Sequence, residues 1–230
     1  MTVWDLPLRL FHWLLVLAIV LAYVTATIGG SWLEWHEVIG VFVLSLIVFR
    51  LVWGFVGSTT SRFSQFFPTP ARLRQFFFST WTGVGHSPLG AISVLALLLM
   101  IIFHAVLGLF AMNEDADFQG PFYALISSTL SEKISVWHGV SFNALLFLIV
   151  LHVCAIFYYL FIKKRNLITP MITGKSGLTK DQATSSELRT GAFTFFIAVS
   201  IAALFFWIIE SGFVVSFLMP QVEPVVIPDW

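Results

Sequence analysis

The sequence is poor in cysteine and in charge, and both shortages narrow what it can encode. Cys154 is the one cysteine in 230 residues, which excludes an intrachain disulfide, covalent haem attachment through Cys-x-x-Cys-His and cysteine-rich metal sites. We expect Cys154 to be a small buried packing residue. Charged residues make up 10% of the chain and hydrophobic residues 58%, whereas soluble domains carry about a quarter charged residues. The composition predicts an integral membrane protein, and the net charge of zero favours no nucleic-acid partner.

Five apolar stretches are long enough to cross a bilayer, which takes about 20 residues each. The first is too long for the core of a secretory signal, so we interpret it as a retained helix. Between the second and third, residues 71–78 mix basic and aromatic side chains and predict a helix on the membrane surface. A polar loop is expected over 163–190 and an extended tail over 221–230. The pattern predicts an all-α membrane protein with five transmembrane helices, at 10–29, 36–57, 88–112, 136–162 and 191–218.

The charges are distributed asymmetrically across these five predicted helices. Lys133 is the one basic residue on the side that collects nine acidic residues, and the other side holds the remaining eleven basic residues. Because positive charge accumulates in cytoplasmic loops, we expect a bacterial inner-membrane protein with a cytoplasmic N-terminus and a periplasmic C-terminus. The acidic side is either an ordinary solvated face or a docking surface for a basic soluble partner. Its residues are Glu34, Glu37, Glu114, Asp115, Asp117, Glu132, Glu210, Glu223 and Asp229.

Histidines form two levels in the predicted bundle. His138 and His152 are fourteen residues apart in one apolar run, so they lie about 21 Å apart along a helix. His36 matches the outer level and His12 the inner level. Zinc takes three or four protein ligands, whereas each level offers two imidazoles, as haem iron with two axial ligands requires. Such ligation leaves no open iron position and favours electron transfer; glycines 40, 108 and 139 serve either ring space or close helix packing.

Four motifs resemble those of the prokaryotic cytochrome b561 and nickel–iron hydrogenase b-type cytochrome family. They are Arg9-Leu10-Phe11-His12-Trp13, His36-Glu37-Val38-Ile39-Gly40 through Arg50-Leu51, Gly85-His86-Ser87-Pro88-Leu89-Gly90, and Trp137-His138 through His152. The resemblance covers roughly residues 3–175. It implies a four-helix transmembrane bundle with two bis-His haem b groups, one held by His12 and His152 and the other by His36 and His138. Residues 1–175 are then the di-haem domain, and 176–230 hold a cytoplasmic loop, a fifth helix and a periplasmic tail.

Three further residues have two interpretations each. Arg9 either neutralises a propionate of the inner haem or is an ordinary cytoplasmic arginine. His86 either orders the start of the third helix or contacts a haem propionate or a quinone. His104 has no ligand role in the resemblance and is either a packed, hydrogen-bonded residue or a quinone contact.

The resemblance implies a membrane cytochrome that passes single electrons between carriers. The expected partners are lipid, a quinone/quinol pool or a hydrogenase-like dehydrogenase subunit, and a periplasmic acceptor such as cytochrome c. A quinone ligand and direct oxidoreductase activity stay open. The alternatives are a His-lined transmembrane metal or proton transporter, although no paired repeat or broken midplane helix supports it, and an anchor subunit whose haems only hold the helices together.

Overall fold

The computed structural model describes residues 3–78, 85–114, 118–175 and 191–219, which are mostly helical. Five of the helices are long and apolar enough to cross a membrane, which confirms the predicted all-α membrane architecture. Those five are Leu6–Ile28, Trp32–Val56, Pro88–Leu109, Ser128–Phe161 and Ala192–Glu210. In chain order the helices are α1 (Leu6–Ile28), α2 (Trp32–Val56), α3 (Phe63–Phe66), α4 (Pro70–Phe77), α5 (Pro88–Leu109), α6 (Ser128–Phe161), α7 (Ile168–Thr173), α8 (Ala192–Glu210) and α9 (Phe213–Leu218).

Local capping signals explain where several helices begin. Asp5 accepts a hydrogen bond from the backbone N–H of Leu8 at 2.8 Å and so starts α1 earlier than the apolar run alone predicts. The hydroxyl oxygen of Ser87 likewise accepts a hydrogen bond from the backbone N–H of Gly90 at 3.1 Å and so caps α5, which begins at Pro88. A proline in the first turn costs no hydrogen bond there and has the dihedral angle that a helix needs. The amphipathic segment predicted at 71–78 is likewise a helix, α4.

The structure departs from the predicted elements in three places. The predicted span 191–218 is broken, because α8 ends at Glu210 and Gly212, with φ of 67°, turns the chain into α9. α6 begins at Ser128 rather than at 136 and reaches 34 residues, since its polar first turns fall outside a hydrophobic window. A two-stranded antiparallel hairpin, β1 (Met112–Asn113) with β2 (Phe118–Gln119), was not predicted. The predicted loop contains α7; its part 176–190 and the predicted tail lie outside the described residues.

α2 is the centre of the bundle. It packs against α1, α5 and α8, while α6 packs against α5. Correspondingly, 56% of the apolar window of α2 is buried inside the protein, against 6% for α6. The outward face of α6 includes Cys154, which is exposed. The expectation that Cys154 is buried was therefore wrong, because α6 lies at the edge of the bundle and offers that face to lipid.

Candidate functional site

Three histidine rings meet at one end of the bundle, which we call the outer end. The ring centres of His36 on α2 and His138 on α6 are 6.1 Å apart, with their planes at 80°. The ring of His104 on α5 stacks on His138 at 4.0 Å and 13°. All three line a cavity of about 400 Å³. The structure thus brings together the two residues predicted to form the outer pair, and adds His104 to the same wall.

Backbone carbonyls fix the protonation pattern of the two outer imidazoles. The Nδ1 of His36 lies 2.8 Å from the carbonyl oxygen of Ala22, and the Nδ1 of His138 lies 2.9 Å from the carbonyl oxygen of His104. A carbonyl accepts and never donates, so each Nδ1 carries the hydrogen and each Nε2 keeps its lone pair. Histidines that bind a metal are held in this way by an outer hydrogen bond to the second ring nitrogen.

His104 belongs to a chain of hydrogen bonds that continues to His138. The hydroxyl of Ser141 donates to the carbonyl oxygen of His138 at 2.8 Å. Its one hydrogen is then used, so its oxygen accepts from the Nδ1–H of His104, 2.8 Å away. His104 is therefore a packed, hydrogen-bonded residue, as one of its two interpretations holds. Sequence reasoning missed Ser141, although a serine three residues after a ligand candidate on a helix is a signal of this kind.

The glycines of this end serve two different purposes. A Cβ added to Gly108 would lie 3.0 Å from Cε1 of His138, so glycine at this position permits the close approach of α5 and α6. A Cβ added to Gly40 or Gly139 would meet no atom within 4 Å, and both residues line the cavity. These two leave open space beside the imidazoles, which a flat ring needs.

His12 and His152 lie at the opposite end, which we call the inner end. His12 on α1 and His152 on α6 are close enough to interact electrostatically. The ring of His12 packs edge-on against Trp13, with centres 5.1 Å apart. Its Nδ1 is buried without a hydrogen-bond partner among the described residues. The inner imidazoles are thus neighbours, but a carbonyl does not hold His12 as it holds the outer pair.

Arg9 and His86, the other two predicted site residues, also lie at the inner end. The guanidinium of Arg9 donates to the carbonyl oxygens of Ile172 and Asp5, which ties α1 to α7. His86 packs between Trp4 and Phe66, with ring centres 4.5 and 4.6 Å away, and its Nδ1 is buried without a partner in the described part of the chain.

The environment of His86 keeps its imidazole neutral. Burial lowers the pKa of His86 from 6.5 to about 3, and the nearby positive charge of Arg50 adds to the effect. His86 precedes the first residue of α5 and lies outside the spanning segments. A neutral ring with an unpartnered Nδ1 can donate one hydrogen bond to an oxygen.

The donor set of the outer end fits a haem better than a bare metal ion. Among the described residues no three side chains of His, Cys, Asp or Glu form a metal-binding group, so the three or four ligands of a zinc site are missing. Two imidazoles with free Nε2 lone pairs are present instead. The ring centres of His36 and His138 are 6.1 Å apart, so these two residues are near enough to hold one group between them.

Comparison with known proteins agrees with this fit. The chain matches the prokaryotic cytochrome b561 family over residues 3–174. It is 24% identical to a probable Ni/Fe-hydrogenase B-type cytochrome subunit of Bradyrhizobium diazoefficiens, over 75% of this chain and 84% of that protein. A protein of the same description from Azotobacter chroococcum is 22% identical, over 75% of this chain and 86% of its own length. No solved structure matches the chain closely enough to be compared with it.

A b-type cytochrome family implies b-type haem, and haem proteins of this kind serve membrane electron transfer. The match covers the helices that carry all the histidine candidates, and the five apolar helices account for its place in a membrane. The chain is a multi-pass membrane protein that belongs to the prokaryotic cytochrome b561 family.

Proposed function

We propose that this protein is a di-haem b-type cytochrome that moves single electrons across the cytoplasmic membrane of a bacterium. The observation that carries the proposal is the outer pair. His36 and His138 stand 6.1 Å apart at a cavity with Gly40 and Gly139 on its wall, and backbone carbonyls leave both Nε2 atoms free. The second haem would use His12 and His152, which interact electrostatically at the inner end.

The protein's own part in this function is to orient the histidine ligands and to shield them from water. The carbonyls of Ala22 and His104 orient the outer imidazoles, and the apolar helices keep water away from them. The haem, when bound, supplies one-electron chemistry through its iron. His36 with His138, and His12 with His152, would each hold one haem, and two histidines per haem favour electron transfer over oxygen activation. His138 and His152 set the two levels about 21 Å apart along α6.

The names of the two relatives support a hydrogenase-like partner. In the proposed arrangement electrons pass between that dehydrogenase subunit or a quinone/quinol pool and a periplasmic acceptor such as cytochrome c. The skew of basic and acidic residues supports a cytoplasmic N-terminus and a periplasmic C-terminus. Glu34, Glu132 and Glu210 would then lie near the periplasmic surface, where a basic partner is attracted.

The remaining parts of the proposal concern the domain division and two site residues. Residues 1–175 would form the di-haem unit, with the fifth helix and the tail outside it. Arg9 and His86 are kept as cofactor contacts at the inner end. The family match does not favour the transporter alternative. The anchor alternative predicts the same haem content and needs a kinetic test.

The first experiment counts haem per polypeptide in the purified protein and in two variants. Wild type should contain two protohaems per chain. His138→Ala should lose the outer haem and keep the inner one, and His152→Ala should do the reverse, because a haem without one of its two axial ligands is held weakly. Ser45→Ala is the control, since the hydroxyl of this buried serine donates within its own helix and supplies no ligand, and it should keep both. Equal loss of both haems in each ligand variant would contradict two independent sites.

The second experiment separates a carrier from an anchor. Protein reconstituted in lipid nanodiscs would be mixed in a stopped-flow instrument with reduced quinol and, separately after reduction, with oxidised cytochrome c. A carrier reduces and reoxidises its haem absorption bands over repeated cycles. Failure of every donor and acceptor pair to give turnover, in protein with full haem content, would favour the anchor.

A further inference from the structure

Arg50 is a buried cation whose two terminal nitrogens have no hydrogen-bond partner among the described residues. It lies near the inner end of α2 and is 1% exposed. Its guanidinium carbon lies 4.6 Å from the ring centre of Phe63 and 5.8 Å from that of Phe66. The atoms Nη1 and Nη2 are buried and have no acceptor among the described residues. A buried donor without an acceptor is destabilising, and more so when the group is charged, so this arrangement calls for an oxygen ligand.

The carboxylate of Asp5, which acts electrostatically on Arg50, does not meet that need. Asp5 contributes a favourable electrostatic interaction with Arg50, but its oxygens accept hydrogen bonds from other groups. They cap α1 and join it to the end of α2 and the turn that follows. The donors are the backbone N–H of Leu8, the indole N–H of Trp53 at 3.0 Å, the hydroxyl of Ser58, and the hydroxyl of Ser61 at 3.0 Å.

A second buried polar atom, the Nδ1 of His86, lies beside the same aromatic rings and has no partner among the described residues. We call the rings of Trp4, Phe63 and Phe66 the aromatic box. The ring of Phe66 contacts both Arg50 and His86, and the charge of Arg50 acts on His86. Trp4 covers the other face of the His86 ring, at 4.5 Å. Two donor groups, Arg50 and the Nδ1 of His86, are thus enclosed by aromatic rings. Arginine is the side chain best suited to bind a carboxylate or a phosphate through two parallel hydrogen bonds.

Two observations put Arg50 at the level of the inner histidines. His36 and Arg50 on α2 are fourteen residues apart, as are His138 and His152 on α6. Since the rings of His36 and His138 adjoin at the outer end, the same rise of about 21 Å brings Arg50 to the depth of His152. Independently, Phe49, next to Arg50, stacks on Phe11, next to His12, with centres 6.4 Å apart.

We propose that Arg50, assisted by His86, binds a propionate carboxylate of the inner haem. The inference rests on the proposed di-haem function and gives a role to Arg50, which the second sequence motif includes without assigning one. A haem placed between apolar helices carries two carboxylates, and a buried carboxylate needs a charged partner and hydrogen bonds. A lipid phosphate could bind Arg50 through the same hydrogen bonds. The near-complete burial of Arg50 favours the haem carboxylate, because a haem lies inside the bundle whereas a lipid headgroup lies at its surface. Nε and Nη1 of Arg9 donate to backbone carbonyls, so Arg9 contributes a smaller part of the contact with this haem.

The decisive experiment compares protohaem with its dimethyl ester, which has no propionate charge. Wild-type protein produced under haem limitation would be reconstituted with each, and occupancy of the inner site followed by its absorption band. Wild type should hold protohaem at the inner site at least tenfold more tightly than the diester. In Arg50→Gln that preference should fall to less than threefold. The preference of the outer site should be the same in both proteins.

A redox titration of the holoprotein gives an independent readout. Loss of a positive charge beside the haem makes reduction harder, so Arg50→Gln should lower the reduction equilibrium constant of the inner haem at least tenfold, which is 59 mV for one electron. Arg50→Lys keeps the positive charge, so the reduction equilibrium constant of its inner haem should be close to that of wild type. Arg74→Gln is the matched control, because Arg74 lies over the ring of Phe78 at 5.8 Å but is exposed, and it should leave both haems unchanged.

The outcomes distinguish failure of this inference from failure of the proposed function. One haem per chain in wild type would refute the di-haem proposal itself. If wild type contains two haems and its inner site retains protohaem and the diester equally well, the proposed propionate contact of Arg50 is wrong and the di-haem proposal stands. This measurement does not depend on a variant that folds. An unchanged inner potential in Arg50→Gln, together with loss of co-purified phospholipid phosphorus, would overturn the propionate contact in favour of a lipid phosphate.

Discussion

The outer and inner ends of the bundle hold their histidines by different means. At the outer end, backbone carbonyls bind the Nδ1 atoms of His36 and His138, so uncharged groups of the chain itself fix the rings. At the inner end, Nδ1 of His12 and the terminal nitrogens of Arg50 are buried and have no hydrogen-bond partner in the described chain. The protein itself thus holds the Nδ1 atoms of the outer pair, whereas at the inner end the donors of Arg50 are left for oxygen acceptors of a ligand.

The elements that surround each end explain this difference. Near the outer end, the hydroxyls of Ser131 and Ser135 donate to the carbonyl oxygens of Phe110 and Met112, each at 2.6 Å, and so join the start of α6 to the end of α5. Near the inner end, the charged groups Asp5 and Arg9 also join elements, beside neutral contacts such as that of the Trp13 indole N–H with the carbonyl oxygen of Met171. Polar contacts between neutral groups suit a site closed by the protein alone, and charged groups suit one that also accommodates an ionic ligand.

The largest effect that separates the two ends is expected for Asp5→Ala. It removes a helix cap, worth about 1 kcal/mol. It also leaves the indole N–H of Trp53 and one of the hydroxyls of Ser58 and Ser61 without an acceptor, since these two hydroxyls can still bond to each other, and each such loss costs about 1 kcal/mol or more. We expect the free energy of unfolding to fall by about 3 kcal/mol and the inner haem to be lost at a lower temperature than the outer. Thermal melting followed at both haem bands measures this. Asp5→Asn, which keeps an oxygen acceptor, is the control, and equal sensitivity of both haems to Asp5→Ala would argue against a local effect.

The next largest effect concerns the open space at the outer end. Gly40→Ala adds a methyl group that would meet no protein atom within 4 Å, so without a ligand in the cavity it should stabilise the protein slightly, because alanine favours a helix over glycine. If a haem fills the cavity, the methyl group should weaken outer-haem binding about tenfold, or about 1.4 kcal/mol, with the inner haem unchanged. Haem titration of the outer site measures it. Gly191→Ala, whose Cβ meets the Thr194 hydroxyl at 3.9 Å, is the control; undiminished outer-haem affinity in Gly40→Ala would exclude a ring beside Gly40.

Much of the fold follows from the sequence because membrane helices are set by local composition. Twenty consecutive apolar residues have to satisfy their backbone within one helix, which is why five spans could be counted. The ends were less predictable, since they depend on caps such as Asp5 and on the break at Gly212. The long polar start of α6 was missed because a hydrophobic window does not register Ser128 to Ser135.

The candidate site was predictable in its residue types and not in its supports. Helical spacing and the basic skew sorted four histidines into two levels, and the resemblance paired them. The carbonyl of His104, the hydroxyl of Ser141 and the placement of Arg50 depend on how α2, α5 and α6 pack. One sequence without packing carries no signal that distinguishes a buried arginine from an arginine at a helix end.

A smaller effect is expected for Ser141→Ala at the outer end. The change removes the acceptor of the His104 ring and the donor to the carbonyl of His138, at about 1 kcal/mol. We expect about a fivefold loss of outer-haem affinity with no change at the inner haem. Ser45→Ala is the matched control, because Ser45 is a buried serine whose hydroxyl donates to the carbonyl of Val41 in its own helix. If Ser45→Ala weakens the outer haem as much as Ser141→Ala does, the effect is general to helix packing.

The smallest effect at neutral pH comes from His86 at the inner end. Burial and the charge of Arg50 lower its pKa in the folded chain from 6.5 to about 3, so the unfolded chain binds a proton that the folded chain does not between these values. Stability is therefore full above pH 6.5 and falls as the pH drops toward 3. In haem-free protein, the melting temperature of wild type should decline more steeply from pH 7 to pH 5 than that of His86→Gln, whose side chain does not titrate. Parallel curves for the two proteins would mean that the His86 ring accepts a proton as readily in the folded protein as in water, and that the aromatic box around it does not exclude charge.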